Sequence, residues 1–141
     1  MIEKTARKNL PFDADRLVLL PDGGFRLIGQ KCGACGTVVV GKHQRCLRCS
    51  SGQKEEITLT PSGVVSNYSQ VNLKPSEDWK GPVPYTLVEG RLPEGPVVTT
   101  YILGVNDPKT IKMGMHVKLD ISKADTNEQG NDIFVYVWKP A

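Results

Sequence analysis

Four cysteines within eighteen residues constrain this chain more than any other feature of its sequence. They form two pairs, Cys32-x2-Cys35 and Cys46-x2-Cys49, with ten residues between the pairs. A two-residue gap lets both thiolates of a pair bind one ion, and two pairs complete a tetrahedral shell of four sulfurs. We therefore predict a metal site held by Cys32, Cys35, Cys46 and Cys49, with one structural zinc ion as the occupant.

The spacing alone leaves three other interpretations open: a pair of disulfides, a thioredoxin-type redox dithiol, and a rubredoxin-type iron site. Two matched pairs argue against an isolated redox dithiol. A closed shell of four thiolates leaves no open coordination position for catalysis. His43 lies between the pairs and could replace one ligand, but four cysteines already complete the shell, so we interpret it as a solvated loop residue.

Positive charge is concentrated around the cysteines. Between Arg26 and Lys54 there are six basic residues and no acidic one, although the whole chain has a formal charge of only +3. A Zn(Cys)4 centre carries a charge of −2, which offsets part of this excess, and the remainder could attract a phosphate-rich ligand such as a nucleotide-bearing thioester. From residue 61 to 141, eight basic residues face nine acidic ones, which argues against nucleic acid as a partner.

The rest of the chain predicts short strands. Gly and Pro supply 24 of 141 residues (14 and 10), which favours turns over long helices. Residues 115–122 alternate apolar and polar side chains, as a half-buried strand does. Residues 133–138 are apolar on both faces, so that strand is either buried on both sides or covered by a partner. We expect five main strands, at 57–60 running into 63–73, then 85–91, 96–103, 115–122 and 133–138.

We predict a mainly β chain in which a metal-binding ribbon of two cysteine knuckles precedes a five-stranded Greek-key barrel of the OB type. Residues 1–23 form an N-terminal arm with a short helix or strand around 13–20, residues 24–54 form the ribbon, and residues 55–141 form the OB-fold domain. No stretch approaches about 18 consecutive apolar residues, and the N-terminus lacks the apolar core of a secretory signal. We therefore expect a cytoplasmic protein without membrane contact, where cysteines more often hold metal than form disulfides.

Several motifs give the sequence a resemblance to the DUF35 family that covers nearly the whole chain. They are the segment FRLI at 25–28 before the first cysteine pair, SGVVSNYS at 62–69, PYTLVE at 84–89, MGMHV at 113–117 and the closing VYVWKPA at 135–141. The segment LVEG at 87–90 departs from the family pattern because it lacks the usual small residue of that barrel strand.

The resemblance implies a rubredoxin-like zinc ribbon followed by an OB-fold. Family members of this length usually act as small partner subunits of thiolase-like or related acyl-CoA enzymes, or occur fused to hydratase-like domains. The implied role is a non-catalytic subunit of a thiolase-type acyl-CoA C-acyltransferase complex. Such a subunit scaffolds the catalytic subunit and helps to shape the channel for the CoA thioester.

Catalysis by this chain alone would need a nucleophile beside a base, or an open metal site. Only His43 and His116 could supply an imidazole base, and His116 lies on the polar face of an alternating strand. The sequence thus indicates no catalytic residue, although it leaves enzymatic activity of a complex open. The alternative hypothesis is a stand-alone module that binds acyl-CoA or single-stranded nucleic acid through its aromatic residues. These are Tyr68, Trp79, Tyr85, Tyr101, Tyr136 and Trp138.

Overall fold

β-strands make up most of the computed structural model, which describes residues 9–74, 77, 83–105 and 107–141. Trp79 lies outside these residues. No helix among them is long and apolar enough to cross a membrane. One 3-10 turn, Pro108–Thr110, occurs within these ranges. The strands are β1 (Asn9–Pro11), β2 (Leu17–Leu19), β3 (Phe25–Cys32), β4 (Val38–Val40), β5 (Lys54–Leu59), β6 (Ser62–Val71), β7 (Tyr85–Arg91), β8 (Val97–Tyr101), β9 (His116–Thr126) and β10 (Asp132–Pro140).

The strands β6 to β10 form the predicted OB-fold barrel. They are hydrogen-bonded in the order β8-β7-β6-β9-β10. A parallel bridge between Ile102 and Trp138 joins the two ends of this order, and the Leu103 N–H donates to the Trp138 carbonyl at 2.8 Å. β6, the first strand of the barrel, thus lies between β7 and β9, and the end of β8 meets β10. This is the Greek-key arrangement of an OB-fold, which confirms the predicted fold class.

Two sequence patterns in the barrel correspond to the burial that they predicted. In β9, Val117 and Leu119 are buried while His116 is exposed, as the alternation requires. In β10, Val137 and Trp138 are both fully buried although they point to opposite faces. Of the two interpretations of β10, burial on both sides within this chain is therefore correct for its second half.

Trp138 lies at the centre of the barrel because two glycines leave room for its ring. Its indole Nε1 donates to the Val98 carbonyl at 3.1 Å, which satisfies the buried N–H. A Cβ atom on Gly90 would lie 2.8 Å from Cε2 of the indole and still closer to its six-membered ring. A Cβ on Gly63 would lie 2.8 Å from the Arg91 carbonyl oxygen. Both strands therefore need glycine at the point where they cross the indole.

The second sheet is built around β3. Strands β2 and β4 pair with successive parts of β3 along one edge, and β5 pairs with β3 along the other. Residues 55–59, which the sequence pattern assigned to the barrel domain, thus belong by their hydrogen bonds to the sheet of the ribbon. The sequence pattern predicted a continuous strand from Ile57 into the barrel, but β5 ends at Leu59 and β6 begins at Ser62. Pro61 has no N–H to donate. The Glu94 carboxylate accepts from the Thr60 N–H at 3.0 Å and from its hydroxyl at 2.7 Å.

The N-terminal arm contacts both sheets. β1 pairs in parallel with β10, whereas β2 pairs with β3, so the segment expected as a short helix or strand around 13–20 contains a strand. Between them, the Phe12 ring packs edge-on against Tyr136 with centroids 5.2 Å apart. Leu27 and Leu59 of the second sheet pack in the same buried cluster as Trp138. The ribbon sheet and the barrel therefore share one core.

Gly90→Ala tests this packing around Trp138. The added methyl group collides with the indole, and overpacking of this kind costs about 2–3 kcal/mol of unfolding free energy. Gly52→Ala is the matched control, because a Cβ there meets no atom within 4 Å and the backbone does not have a positive φ. Urea denaturation measures both variants. Equal stability of the two would contradict the close approach at Gly90.

Candidate metal centre

Two similar turns carry the four cysteines. In the first, the Gly36 N–H donates to the Cys32 carbonyl at 3.0 Å, and in the second the Ser50 N–H donates to the Cys46 carbonyl at 2.9 Å. Gly36 has φ +79° and Ser50 has φ +64°, so the residue after each pair adopts the left-handed conformation that closes the turn. The second turn does this without a glycine.

Backbone N–H groups point at the first sulfur of each pair. The amides of Ala34 and Cys35 donate to Cys32 Sγ at 3.3 and 3.4 Å. The equivalent amides, Arg48 and Cys49, donate to Cys46 Sγ at 3.3 and 3.5 Å. These donors stabilise thiolate rather than thiol, so both turns are arranged for a charged sulfur.

The four sulfur atoms lie within 4.8 Å of one another. Cys32 Sγ is 3.6 Å from Cys49 Sγ, and Cys35 Sγ is 3.6 Å from Cys46 Sγ. A tetrahedral ion with metal–sulfur bonds of about 2.3 Å needs sulfurs about 3.8 Å apart, so the cluster fits such an ion. All four cysteines are free, and the arrangement is therefore not the disulfide pair considered above. The structure brings together all four predicted ligands in a cluster that could hold a metal ion such as zinc.

The thiols in this cluster differ widely in acidity. Hydrogen bonds from the side chain and the backbone of Thr37 lower the pKa of Cys35 to about 6. The Ser51 N–H lowers the pKa of Cys49, but the neighbouring sulfurs of Cys32 and Cys35 outweigh it and raise that pKa to about 12. Four thiolates this close repel one another, and a bound divalent cation would compensate their charge.

Neither histidine belongs to the cluster. His43 is half-buried. Its backbone N–H donates to Gln30 Oε1 at 2.8 Å, and its ring Nε2 lies 3.0 Å from the Val40 carbonyl oxygen. It therefore helps to hold the loop between the cysteine pairs, a structural role beyond the solvated position expected from the sequence. His116 is exposed on β9. Sequence reasoning missed Gln30, because a polar residue within a strand gives no signal that it is buried.

Several of the basic residues around the cysteines brace the ribbon. Lys54 Nζ donates to the carbonyls of His43 (2.8 Å) and Gln44 (3.1 Å), and Arg45 donates to the Ser50 carbonyl at 3.2 Å. These contacts satisfy carbonyl groups of the loop that carries the second cysteine pair. Some of the basic side chains around the cysteines thus stabilise the loop rather than form a binding surface.

Two further basic residues are also engaged. Arg26 donates to Thr58 Oγ1, and Lys42 pairs with Glu56 at 3.4 Å. Lys31 and Arg48 are exposed, and their side chains make no hydrogen bond or ion pair with the described part of the chain. Lys31 and Arg48 are therefore the two basic side chains of the ribbon that are free to contact a ligand or a partner.

Comparisons with known proteins agree with this architecture. The family model of the ChsH2 C-terminal OB-fold domain matches residues 56–122. A DUF35 domain-containing scaffold protein of Methanothermobacter thermautotrophicus is 32% identical over 109 residues, which cover 77% of this chain and 79% of the relative. The chain belongs to the DUF35 family. A second DUF35 domain-containing scaffold protein, from Methanocaldococcus jannaschii, is 32% identical over 82% of each chain.

Two other relatives of this DUF35 chain are parts of larger proteins or assemblies. A solved structure described as the Ltp2-ChsH2(DUF35) aldolase matches with a TM-score of 0.63 and 28% identity, covering 82% of this chain and 84% of the other. A probable enoyl-CoA hydratase alpha subunit of Thermomonospora curvata is 30% identical over 82% of this chain, but the match spans only 34% of that protein.

Cys46→Ser tests the ligand set. Removing one thiolate opens the shell, so the variant is expected to lose most of its zinc and to melt at a lower temperature, because metal binding contributes folding free energy directly. Ala34→Ser is the control, since it adds a hydroxyl to the exposed first turn without removing a ligand. Metal analysis and thermal unfolding measure both. Full zinc content in Cys46→Ser would contradict the assignment.

Proposed function

We propose that this chain is a non-catalytic zinc-ribbon/OB-fold subunit of a thiolase-type acyl-CoA C-acyltransferase complex. It scaffolds the catalytic subunit and helps to shape the channel through which the CoA thioester passes. The observation that carries the proposal is the closed cluster of four cysteine sulfurs. A metal held by four thiolates has no open position, so in this chain the ion stabilises structure and does not activate a substrate.

The remaining chemistry of the chain supports a scaffold rather than a catalyst. The His43 ring is engaged by a backbone carbonyl, and the exposed His116 lies on a strand outside the cysteine cluster. The partner would supply the reactive nucleophile and base. This chain would supply apolar surface, the shape of its ribbon and barrel, and positive charge for the CoA phosphates, with Lys31 as the candidate contact.

The relatives support both halves of the proposal. Two of them are named scaffold proteins, and the Ltp2-ChsH2(DUF35) structure is described as an aldolase. The hydratase relative carries enoyl-CoA, a CoA thioester, in its name. The same aldolase structure favours a second candidate, in which the catalytic partner cleaves a carbon–carbon bond as an aldolase does rather than by thiolysis.

The stand-alone binding module makes a different prediction. It requires the isolated chain to bind an acyl-CoA or a single-stranded oligonucleotide with useful affinity. The barrel has nearly balanced charge, which gives no electrostatic attraction for a phosphate backbone. We expect neither ligand to bind the isolated chain tightly, since the CoA channel is completed by the partner.

The tagged chain, purified from its native host at moderate salt, tests the proposal. We expect it to elute with a larger acyl-CoA enzyme subunit, and we expect that subunit to lose most of its activity when this chain is removed and to regain it on re-addition. Assays of thiolysis and of aldol cleavage separate the two partner classes. If the chain elutes alone and leaves both rates unchanged when added to candidate subunits, the proposal fails.

A further inference from the structure

A groove of about 430 Å³ lies where the ribbon meets the barrel. Val38, Val40 and Leu47 line it from the ribbon, and Pro96 and Val97 line it from the barrel. The groove is separate from the cluster of cysteine sulfurs, none of which lines it. It is therefore a surface that the metal centre does not explain, formed only because the two parts of the chain share a core.

One wall of the groove includes a strand edge. Within the described residues, β4 pairs with β3 alone, whereas β8 meets β10 where the barrel closes. Edge strands offer unpaired backbone N–H and C=O groups, and native proteins usually cover or charge them. The edge strand β4 consists of Val38, Val39 and Val40 and carries no charge.

The groove also exposes large apolar side chains. Leu47 is 68% exposed although it sits between two cysteines of the second pair, where the turn fixes its position. Val97 on the opposite wall is 36% exposed. An apolar surface that spans two structural elements and is held in a defined shape is typical of a protein–protein interface.

A charge next to a groove residue in the chain indicates the kind of partner. Arg16 lines the groove, but Asp13 pairs with it at 3.4 Å and Tyr136 accepts from it at 3.4 Å. Arg48 follows Leu47 directly in the chain and has no such partner within the described residues. A complementary surface would thus place a carboxylate next to an apolar side chain.

A second copy of this chain does not meet that requirement. In a two-fold symmetric contact the same patch faces itself, so the uncompensated Arg48 of each copy would approach the other. Between residues 26 and 54 the chain has no acidic residue to offset this repulsion. The charge therefore favours a different, acidic protein as the occupant.

We propose that this groove is the docking site for a segment of the catalytic subunit that places an apolar side chain against Leu47 and Val97 and a carboxylate against Arg48. The inference rests on the proposed function and adds to it the surface of contact and the chemistry of the partner. Leu47 is the central contact, and its position depends on the turn that the second cysteine pair forms.

The test uses the catalytic subunit isolated with this chain. Leu47→Asp and Val97→Asp place a charge on each wall of the groove, and each is expected to weaken binding at least about tenfold, as central interface positions do. The matched controls are Leu73→Asp and Val64→Asp, whose parent side chains are 79% and 37% exposed elsewhere. We expect the controls to change the Kd less than about twofold. Val97 is not in a cysteine turn, so its variant remains informative even if Leu47→Asp loses zinc.

Arg48→Glu tests the charge. It is expected to weaken binding and to reduce the dependence of the Kd on salt, because it removes an attraction between opposite charges. If the wild-type complex forms but the groove variants bind like their controls, the inference is overturned and the proposed function stands. If no catalytic subunit binds the wild-type chain, the proposed function fails and this inference fails with it. Self-association that the groove variants abolish would overturn the inference in favour of a second copy.

Discussion

Almost no buried side chain holds the loops that carry the four cysteines, so the stability of these loops depends on what binds the four clustered sulfurs. Of residues 33–53, only Gly41 is buried. Hydrophobic burial therefore contributes little to the stability of this segment, and bonds from four thiolates to one ion can supply what is missing. The same bonds would fix the turn that carries Leu47. The exposed surface of the ribbon would thus depend on a bound ion more than on the core.

Beneath these loops the ribbon and the barrel are joined by an apolar core. Leu27 on β3 and Leu59 on β5 pack with the barrel residues around Trp138, and the arm adds one strand to each sheet. A chain joined in this way presents both parts to a partner in a defined arrangement. That property is the physical basis of a scaffold, and it also creates the groove at the junction.

The sequence predicted features that depend on local spacing. The two cysteine pairs indicated one cluster, the alternation in 115–122 indicated a half-buried strand, and the turn residues indicated the barrel. The three-residue strand β1 escaped notice, and the segment of β2 was expected only as a short helix or strand, because so short a segment has no measurable periodicity. The place of β5 in the ribbon sheet depends on long-range pairing with β3. The groove was also missed, since it exists only through the contact of two distant segments.

The central claim is that a closed shell of four sulfurs holds the ion, so that this chain stabilises a complex and leaves the chemistry to its partner. X-ray absorption at the zinc edge of the purified protein tests it most directly. We expect four sulfur neighbours at about 2.3 Å and no nitrogen or oxygen neighbour. A bound water, a histidine nitrogen or only three sulfurs would show an open site and contradict the account.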